Sequence, residues 1–390
     1  HTDRNIPPTL LQDQGSAQQE DQNLRLTTEW TKDRDRWTHQ LRVAYFQEGL
    51  LFDDSIAGIS DLTRAQQLIA EGESRLRLNA SHSFNFGLHN TFATADHPNF
   101  DNSAQQNRFA LFASHSFLSI NKKWQSQVSA RTEWLDGTAV PFTFSAGVDY
   151  RVLSWLMAKS SFSRVYRIPT LNDLYWRPGG NTDLLPEEGY SGEIGLMVHD
   201  RFGKLDFTSE VTAYSRNIDN WIIWMPGLSF WQPQNIASVW SRGIESNTQV
   251  KMQLGKVSFT LGLTTNYVLS TNREASSTND QALNKQLIYT PIYNGSGRIN
   301  LQYKKLSVGY RHNYVGYRYT STDNTQFLPP YQLGGFHFNY RSRIKKVSCL
   351  WTLQINNVWD TSYQVLSNRP MPGIQFMGGI SLRFHRPTKH

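Results

Sequence analysis

Residues 221–235 hold Trp221, Trp224, Phe230 and Trp231, with Met225 and Pro226 among them. Four large rings in one short stretch offer stacking and apolar contact. That is the chemistry of holding a bulky ligand or a lipoprotein lid, not of making or breaking bonds. A second set, Tyr175 and Trp176, lies in a segment that Pro169, Pro178 and Pro186 stiffen and Gly179-Gly180 lets turn. Each set also has a plainer reading. Trp221 can belong to a row of interface aromatics, the other rings can pack their own loop, and the proline-rich segment can tie a loop to a wall. Covalent chemistry finds no support: there is no Ser/His/Asp set, no HExxH, no phosphate-binding glycine loop and no paired carboxylates on one helix. No catalytic site and no cofactor is therefore expected. The eleven histidines show no ligand spacing, and His82, His89 and His115 read as polar groups on strands. Asp53, Asp54 and Asp61 fall in one stretch and could join a calcium site, but on so few carboxylates no metal is expected. The lone Cys349 excludes an internal disulfide and a thiolate cluster.

The elements that must carry these residues are strands. Phe142, Phe144, Ala146, Val148, Tyr150 and Val152 alternate with Thr143, Ser145, Gly147, Asp149 and Arg151. Val257, Phe259, Leu261, Leu263, Thr265 and Tyr267 alternate with Ser258, Thr260, Gly262, Thr264 and Asn266. Successive side chains of a strand point to opposite faces, so each run has one apolar and one polar face. Such runs amount to about 17 strands, most of about ten residues or more, the length needed to cross a bilayer at a tilt. Aromatics fall near the ends of the runs (Trp30, Trp37, Trp124, Trp134, Tyr267, Tyr303, Trp351, Trp359), as interface girdles require.

Connections alternate between short and long. Short turns are expected at 33–36, 121–123, 153–154, 200–204, 255–256, 304–305 and 341–346. Long connections are expected at 52–71, 95–106, 166–187, 221–235, 270–289, 319–330 and 359–372. Tight periplasmic turns and long extracellular loops are the pattern of an outer-membrane barrel. The predicted fold class is all-β: a transmembrane antiparallel β-barrel. An odd strand count cannot close with antiparallel neighbours, so the chain reads as the C-terminal portion of a larger barrel. Residues 1–21 read as the remnant of an extracellular loop, 22–384 as barrel and 385–390 as a tail. A propeller would show a repeat of about 40–45 residues, and none is seen. A net charge of +7 without a basic run gives no support to a nucleic-acid partner, and no apolar stretch is long enough for a spanning helix.

Residues 162–188 run Phe-Ser-Arg-Val-Tyr-Arg-Ile-Pro-Thr-Leu-Asn-Asp-Leu-Tyr-Trp-Arg-Pro-Gly-Gly-Asn-Thr-Asp-Leu-Leu-Pro-Glu-Glu. This segment resembles the barrel motif of TonB-dependent outer-membrane receptors. The matching residues are Tyr166, Arg167, Pro169, Thr170, Leu174, Tyr175, Gly180, Asn181, Leu184, Pro186 and Glu187. Thr182 and Leu185 depart from the family pattern. Asn356-Asn357-Val358-Trp359 and the closing strand to Phe384, the terminal aromatic read by the assembly machinery, also resemble the family. The resemblance implies a barrel of about 22 strands around an N-terminal plug, so about 17 strands here would leave the plug and the first strands outside. It implies the Gram-negative outer membrane and its lipids, and TonB-ExbB-ExbD acting through the plug. It also implies active uptake of a scarce, bulky small ligand, with a surface lipoprotein as a further partner. Haem receptors of the family carry a histidine within the motif, and residues 166–188 have none. The Tyr166–Trp176 form, with Trp221 and Trp224 following, looks like cobalamin-receptor-type members. Vitamin B12 or a related corrinoid is the favoured ligand, an iron–siderophore complex the alternative, and a passive porin-like channel the rival from another class.

Overall fold

A computed structural model describes all residues except 7, 9–14, 227–229, 275–280, 345–346 and 385–390. Among the described residues the chain forms 21 strands and one five-residue helix, Leu171–Tyr175. Seventeen strands are nine residues or longer, running from Ala17–Arg34 to Gln375–Phe384. They belong to one 19-stranded sheet in which the long strands pair antiparallel with their neighbours in sequence.

The alternation seen in the sequence sets which face looks where. Register pairs Ala213 with Ile244 and Ile244 with Tyr267. On this face Val211, Ile244, Leu261 and Leu263 stand exposed. On the other face register pairs Glu29 with Arg42, Arg42 with Glu71, and Glu71 with His89. Arg42 bridges to Glu71 and Glu73, and His89 bonds Glu71 at 3.1 Å. One wall face is thus apolar and fit for lipid, and the other is an ionic lining fit for water. Leaving out glycine and proline, only nine apolar residues are buried among those described, and five of them (Ile168, Leu184, Ile218, Ile222 and Val239) lie where one loop meets the wall. A soluble domain of this length would bury a far larger apolar set.

Six of the seven short turns fall at the expected stretches; of the seventh, 341–344 are strand and 345–346 lie outside the described residues. Asp35–Arg36, Gly203–Lys204, Gly255–Lys256 and Lys304–Lys305 each separate two strands, and Asp35, Gly203, Gly255 and Lys304 have φ of 52°, 62°, 58° and 51°. Left-handed geometry at the first turn position matches the twist of the flanking strands. A further short connection, 78–81, was not anticipated. Asn79 Oδ1 accepts from the amides of Ser81 and His82 there, both at 2.8 Å. Aromatic pairs mark both ends of the apolar band: Trp124 with Tyr150 on the short-turn side, Phe109 with Trp134 and Tyr267 with Tyr293 on the other. Trp359 falls outside the strands.

Three expectations are corrected. The stretch 52–71 is strand except for a turn at 55–58, because Trp37–Asp54 and Ile59–Arg77 pair to their ends. Likewise 221–226 and 231–235 are paired ends of strands Leu205–Pro226 and Trp231–Leu254, and 227–229 lie outside the described residues. Strand ends that rise beyond the bilayer are wetted on both faces and lose the apolar/polar alternation, so they read as loop. Residues 1–21 include strand Thr2–Asn5, paired with Gln18–Asp21. This adds a four-residue strand before the first long one, too short by itself to cross a bilayer, and the long strands still number 17. Strand Gln375–Phe384 still pairs only with Val347–Asn356 among the described residues, and no pairing joins it to Thr2–Asn5 or Ala17–Arg34. The expected tail 385–390 lies outside the described residues. Phe384 ends its strand opposite Val347.

Candidate ligand-binding loops

Strands Leu156–Arg167 and Glu187–Phe202 pair from end to end, with Arg167 opposite Glu187. The connection 168–186 therefore springs from the wall at one point and returns to it. Glu187 is 4% exposed. Its carboxylate accepts from Arg167 Nε at 2.7 Å, from the second Arg167 nitrogen, and from the Ile222 amide at 2.8 Å. A buried carboxylate is costly unless its lone pairs are filled, and here three donors fill them.

Pro169 is buried and fixes the backbone ahead of Thr170. Thr170 caps the helix Leu171–Tyr175: Asp173 N donates to its hydroxyl at 3.2 Å, and Thr170 N donates back to Asp173 Oδ2 at 2.8 Å. This reciprocal box satisfies two of the donors a helix start leaves open. Asp173 is itself buried, and its other oxygen accepts from Trp224 Nε1 at 2.9 Å. Leu174 N donates to Thr170 O at 3.1 Å, and Gly180 N donates to Trp176 O at 2.5 Å. Asn181 closes the segment: its amide donates to Asp173 O at 2.8 Å, and its side chain donates to Pro233 O at 3.3 Å.

The hairpin from Leu205 to Leu254 is the partner of this loop. Its strands slip register between Ile218 and Ile222, where Asn220 takes a φ of 56°. Such a bulge re-aims the rising strand. Asn235 then staples the parts: its Oδ1 accepts from Leu185 N at 2.8 Å, and its Nδ2 donates to Leu185 O at 3.0 Å and Asn220 O at 2.7 Å. Asn220 donates to Pro186 O at 3.5 Å. Gly179 has a φ of 127°, and a Cβ there would stand 2.3 Å from Trp231 O. Only glycine permits both the angle and the approach.

The structure therefore assigns the motif residues contacts within a clamp. Tyr166 stands beside the Glu133–Arg108 pair, and Leu184 is buried. The six aromatic candidates divide. Trp224 is pinned to Asp173, and Trp221 is half-buried in its strand. Trp176 packs at a tilt against His97, 4.6 Å between centroids, and meets Phe100 edge-on, with Tyr175 also edge-on to Phe100. Phe230 and Trp231, at 38% and 58% exposure, present open rings at the hairpin tip. The structure brings five of the six to one loop junction and pairs Trp221 with Ala237 in its strand. Connection 97–103 is the partner the sequence reading missed; Asn99 O takes the Arg177 amide at 2.7 Å, and Asp101 takes its Nε at 2.9 Å.

The carboxylates considered for calcium do not converge. Register sets Asp53 on the opposite face from Asp54 and Asp61. The Ser16 hydroxyl and the amides of Ala57 and Ile56 occupy the Asp54 carboxylate and hold it below the usual range. His89 sits in the ionic lining, whereas His82 and His115 stack on each other at 5.3 Å.

Antiparallel strands of crossing length, an apolar outer band between aromatic rows and an ionic inner face define an outer-membrane β-barrel wall. The family model for TonB dependent receptor-like β-barrels matches residues 2–358, and the chain belongs to that family. It is a family of receptors and transporters, not of enzymes, and the chain is an outer-membrane protein. The vitamin B12 transporter BtuB of Photobacterium profundum is 27% identical over 216 residues, 54% of this chain and 33% of the relative. The BtuB of Vibrio vulnificus is 34% identical over 94 residues, 24% and 14%. Among solved structures, a mutant of the ferric enterobactin receptor PfeA from Pseudomonas aeruginosa superposes with a TM-score of 0.68 at 16% identity, over 93% of this chain and 61% of that one. The chain thus matches a third of the first relative's length and less than two thirds of the solved receptor.

Proposed function

We propose that these residues form the wall and the ligand-recognition loops of a receptor that takes up vitamin B12 or a related corrinoid. The observation that carries the ligand class is the likeness to two BtuB transporters. The geometry agrees with it. Phe230 and Trp231 stand open at the tip of a hairpin that the clamp at 168–186 holds in place. A broad, rigid macrocycle needs large rings that are fixed before it arrives, because ordering them on binding would cost affinity. In this reading the ionic inner face surrounds an N-terminal plug of the full-length receptor, and TonB-ExbB-ExbD act through that plug. A surface lipoprotein lid would share the same tip.

The test is equilibrium binding of cyanocobalamin to the full-length receptor. Binding is expected, with Phe230→Ala and Trp231→Ala each weakening it about tenfold or more. Absence of binding, with a ferric siderophore bound instead, replaces the corrinoid reading. Free passage of small solutes with no saturable ligand would replace both with a passive pore.

A further inference from the structure

Among the described residues, two arginines of the outer wall, Arg242 and Arg273, have no acidic partner at the level where lipid head groups lie. In strand Trp231–Leu254 the even residues near Ile244 face outward, because Ile244 shares its row with Ala213 and Tyr267. Tyr267 in turn pairs with Tyr293, and their rings meet at 4.9 Å. This is the aromatic row on the long-loop side. Arg242 lies one outward step above it, in the row Ser215–Arg242–Leu269. Trp240 lies one step higher, and Arg273 follows directly on the next strand, Val257–Asn272. Two residues of strand rise place Arg242 about 7 Å beyond the aromatic row.

The Arg242 guanidinium sits 3.8 Å from the centre of the Trp240 ring, and that of Arg273 sits 5.2 Å from it. Trp240 is fixed by its own indole N–H, which donates to Ser215 Oγ at 2.9 Å. Arg242 donates to Trp240 O at 3.4 Å and to Thr271 Oγ1 at 3.1 Å, and Arg273 donates to Asn284 Oδ1 at 3.3 Å. All these acceptors are neutral. Among the described residues neither arginine has a carboxylate within bridging distance, whereas Arg164, in the same outward row as Tyr190, is neutralised by Glu188. Two guanidiniums held near one ring repel each other, and water alone pays for that poorly at the edge of a bilayer. An anion with several oxygens would offset the repulsion, and guanidinium geometry suits phosphate.

We propose that Trp240, Arg242 and Arg273 form a binding site for a phosphorylated lipid head group of the outer leaflet. The acyl chains would lie down the apolar band past Ile244 and Leu263, and the phosphate would bridge the two guanidiniums. The site rests on the outward position of this wall in the outer membrane and is independent of the nutrient the receptor takes up.

The experiment uses the full-length receptor purified in detergent and native mass spectrometry of lipid retention. The probes are lipid A bisphosphate, the same glycolipid stripped of phosphate, and inorganic phosphate. Wild-type receptor is expected to retain the bisphosphate and to release the dephosphorylated form. Arg242→Gln with Arg273→Gln should weaken retention about 30-fold. Lys304→Gln with Lys305→Gln, at the opposite rim, should leave it unchanged. Equal retention by wild type and the double arginine variant overturns the site and leaves the arginines as pins of the 273–292 connection. Equal retention of the dephosphorylated lipid overturns it without any variant. Displacement of the lipid by equimolar inorganic phosphate shows an adventitious anion site and overturns the lipid assignment.

Discussion

At the residue scale, the family motif works by filling polar valences in a dry junction. Glu187 shows this most directly, since removing its side chain frees Arg167 and orphans the buried Ile222 amide. Glu187→Ala should cost about 2 kcal/mol, and limited proteolysis of the receptor should then cut within 168–186 where wild type resists. An unchanged cleavage pattern would show that the loop is held without this carboxylate. Gly179→Ala should act on the neighbouring hairpin, because the methyl group would collide with Trp231 O. Its expected signature is a red-shifted tryptophan emission together with weaker ligand binding. Trp224 and Trp231 make a contrasting pair. Trp224→Phe loses the bond to Asp173 and should lower loop stability by about 1 kcal/mol, whereas Trp231→Ala should alter ligand affinity and leave proteolysis unchanged.

At the element scale, each strand is a two-sided object whose sides meet different solvents. Leu263 and Thr264 are neighbours in sequence and belong to opposite faces of Val257–Asn272. Leu263→Arg places a charge toward the hydrocarbon near mid-strand and should destabilise by about 2–4 kcal/mol, whereas Thr264→Arg points to the wet interior and should cost under about 1 kcal/mol. Denaturant titration of the receptor folded into lipid vesicles measures both. Equal costs would mean that the assignment of faces is reversed or that the interior is dry. The same two-sidedness explains which elements were legible. Short turns other than 78–81, and the strand segments outside 59–71, are legible in the sequence, because lipid on one side and water on the other impose alternation. The ends 221–226 of Leu205–Pro226 and 231–235 of Trp231–Leu254 read as loop, because the Trp-Ile-Ile-Trp run at 221–224 shows no alternation.

At the scale of the whole molecule, stability comes from ladders of backbone hydrogen bonds around a curved wall more than from a packed centre. Strands such as Leu205–Pro226 are paired along both sides, while Gln375–Phe384 is paired along one. Amide hydrogen exchange on this polypeptide in detergent should therefore find Gln375–Phe384 among the fastest strands and Leu205–Pro226 among the slowest. Uniform protection would mean that the two edge strands meet. In the full-length receptor, further strands seated between those edges should slow exchange at Gln375–Phe384.

The sequence by itself determined the class of fold, the strand number to within one, the side on which the short turns lie and the family motif. All of these are local consequences of period-two patterning and turn chemistry. The tertiary structure alone decided that Arg167 and Glu187, Asp173 and Trp224, Asn235 and Leu185 are partners. It also decided that Trp176 is packed while Trp231 is open, and that Arg242 and Arg273 share one ring. The members of these pairs lie 20 to 51 residues apart in the chain. Register across several strands and one bulge brings them together, and no single strand carries that information in its own pattern.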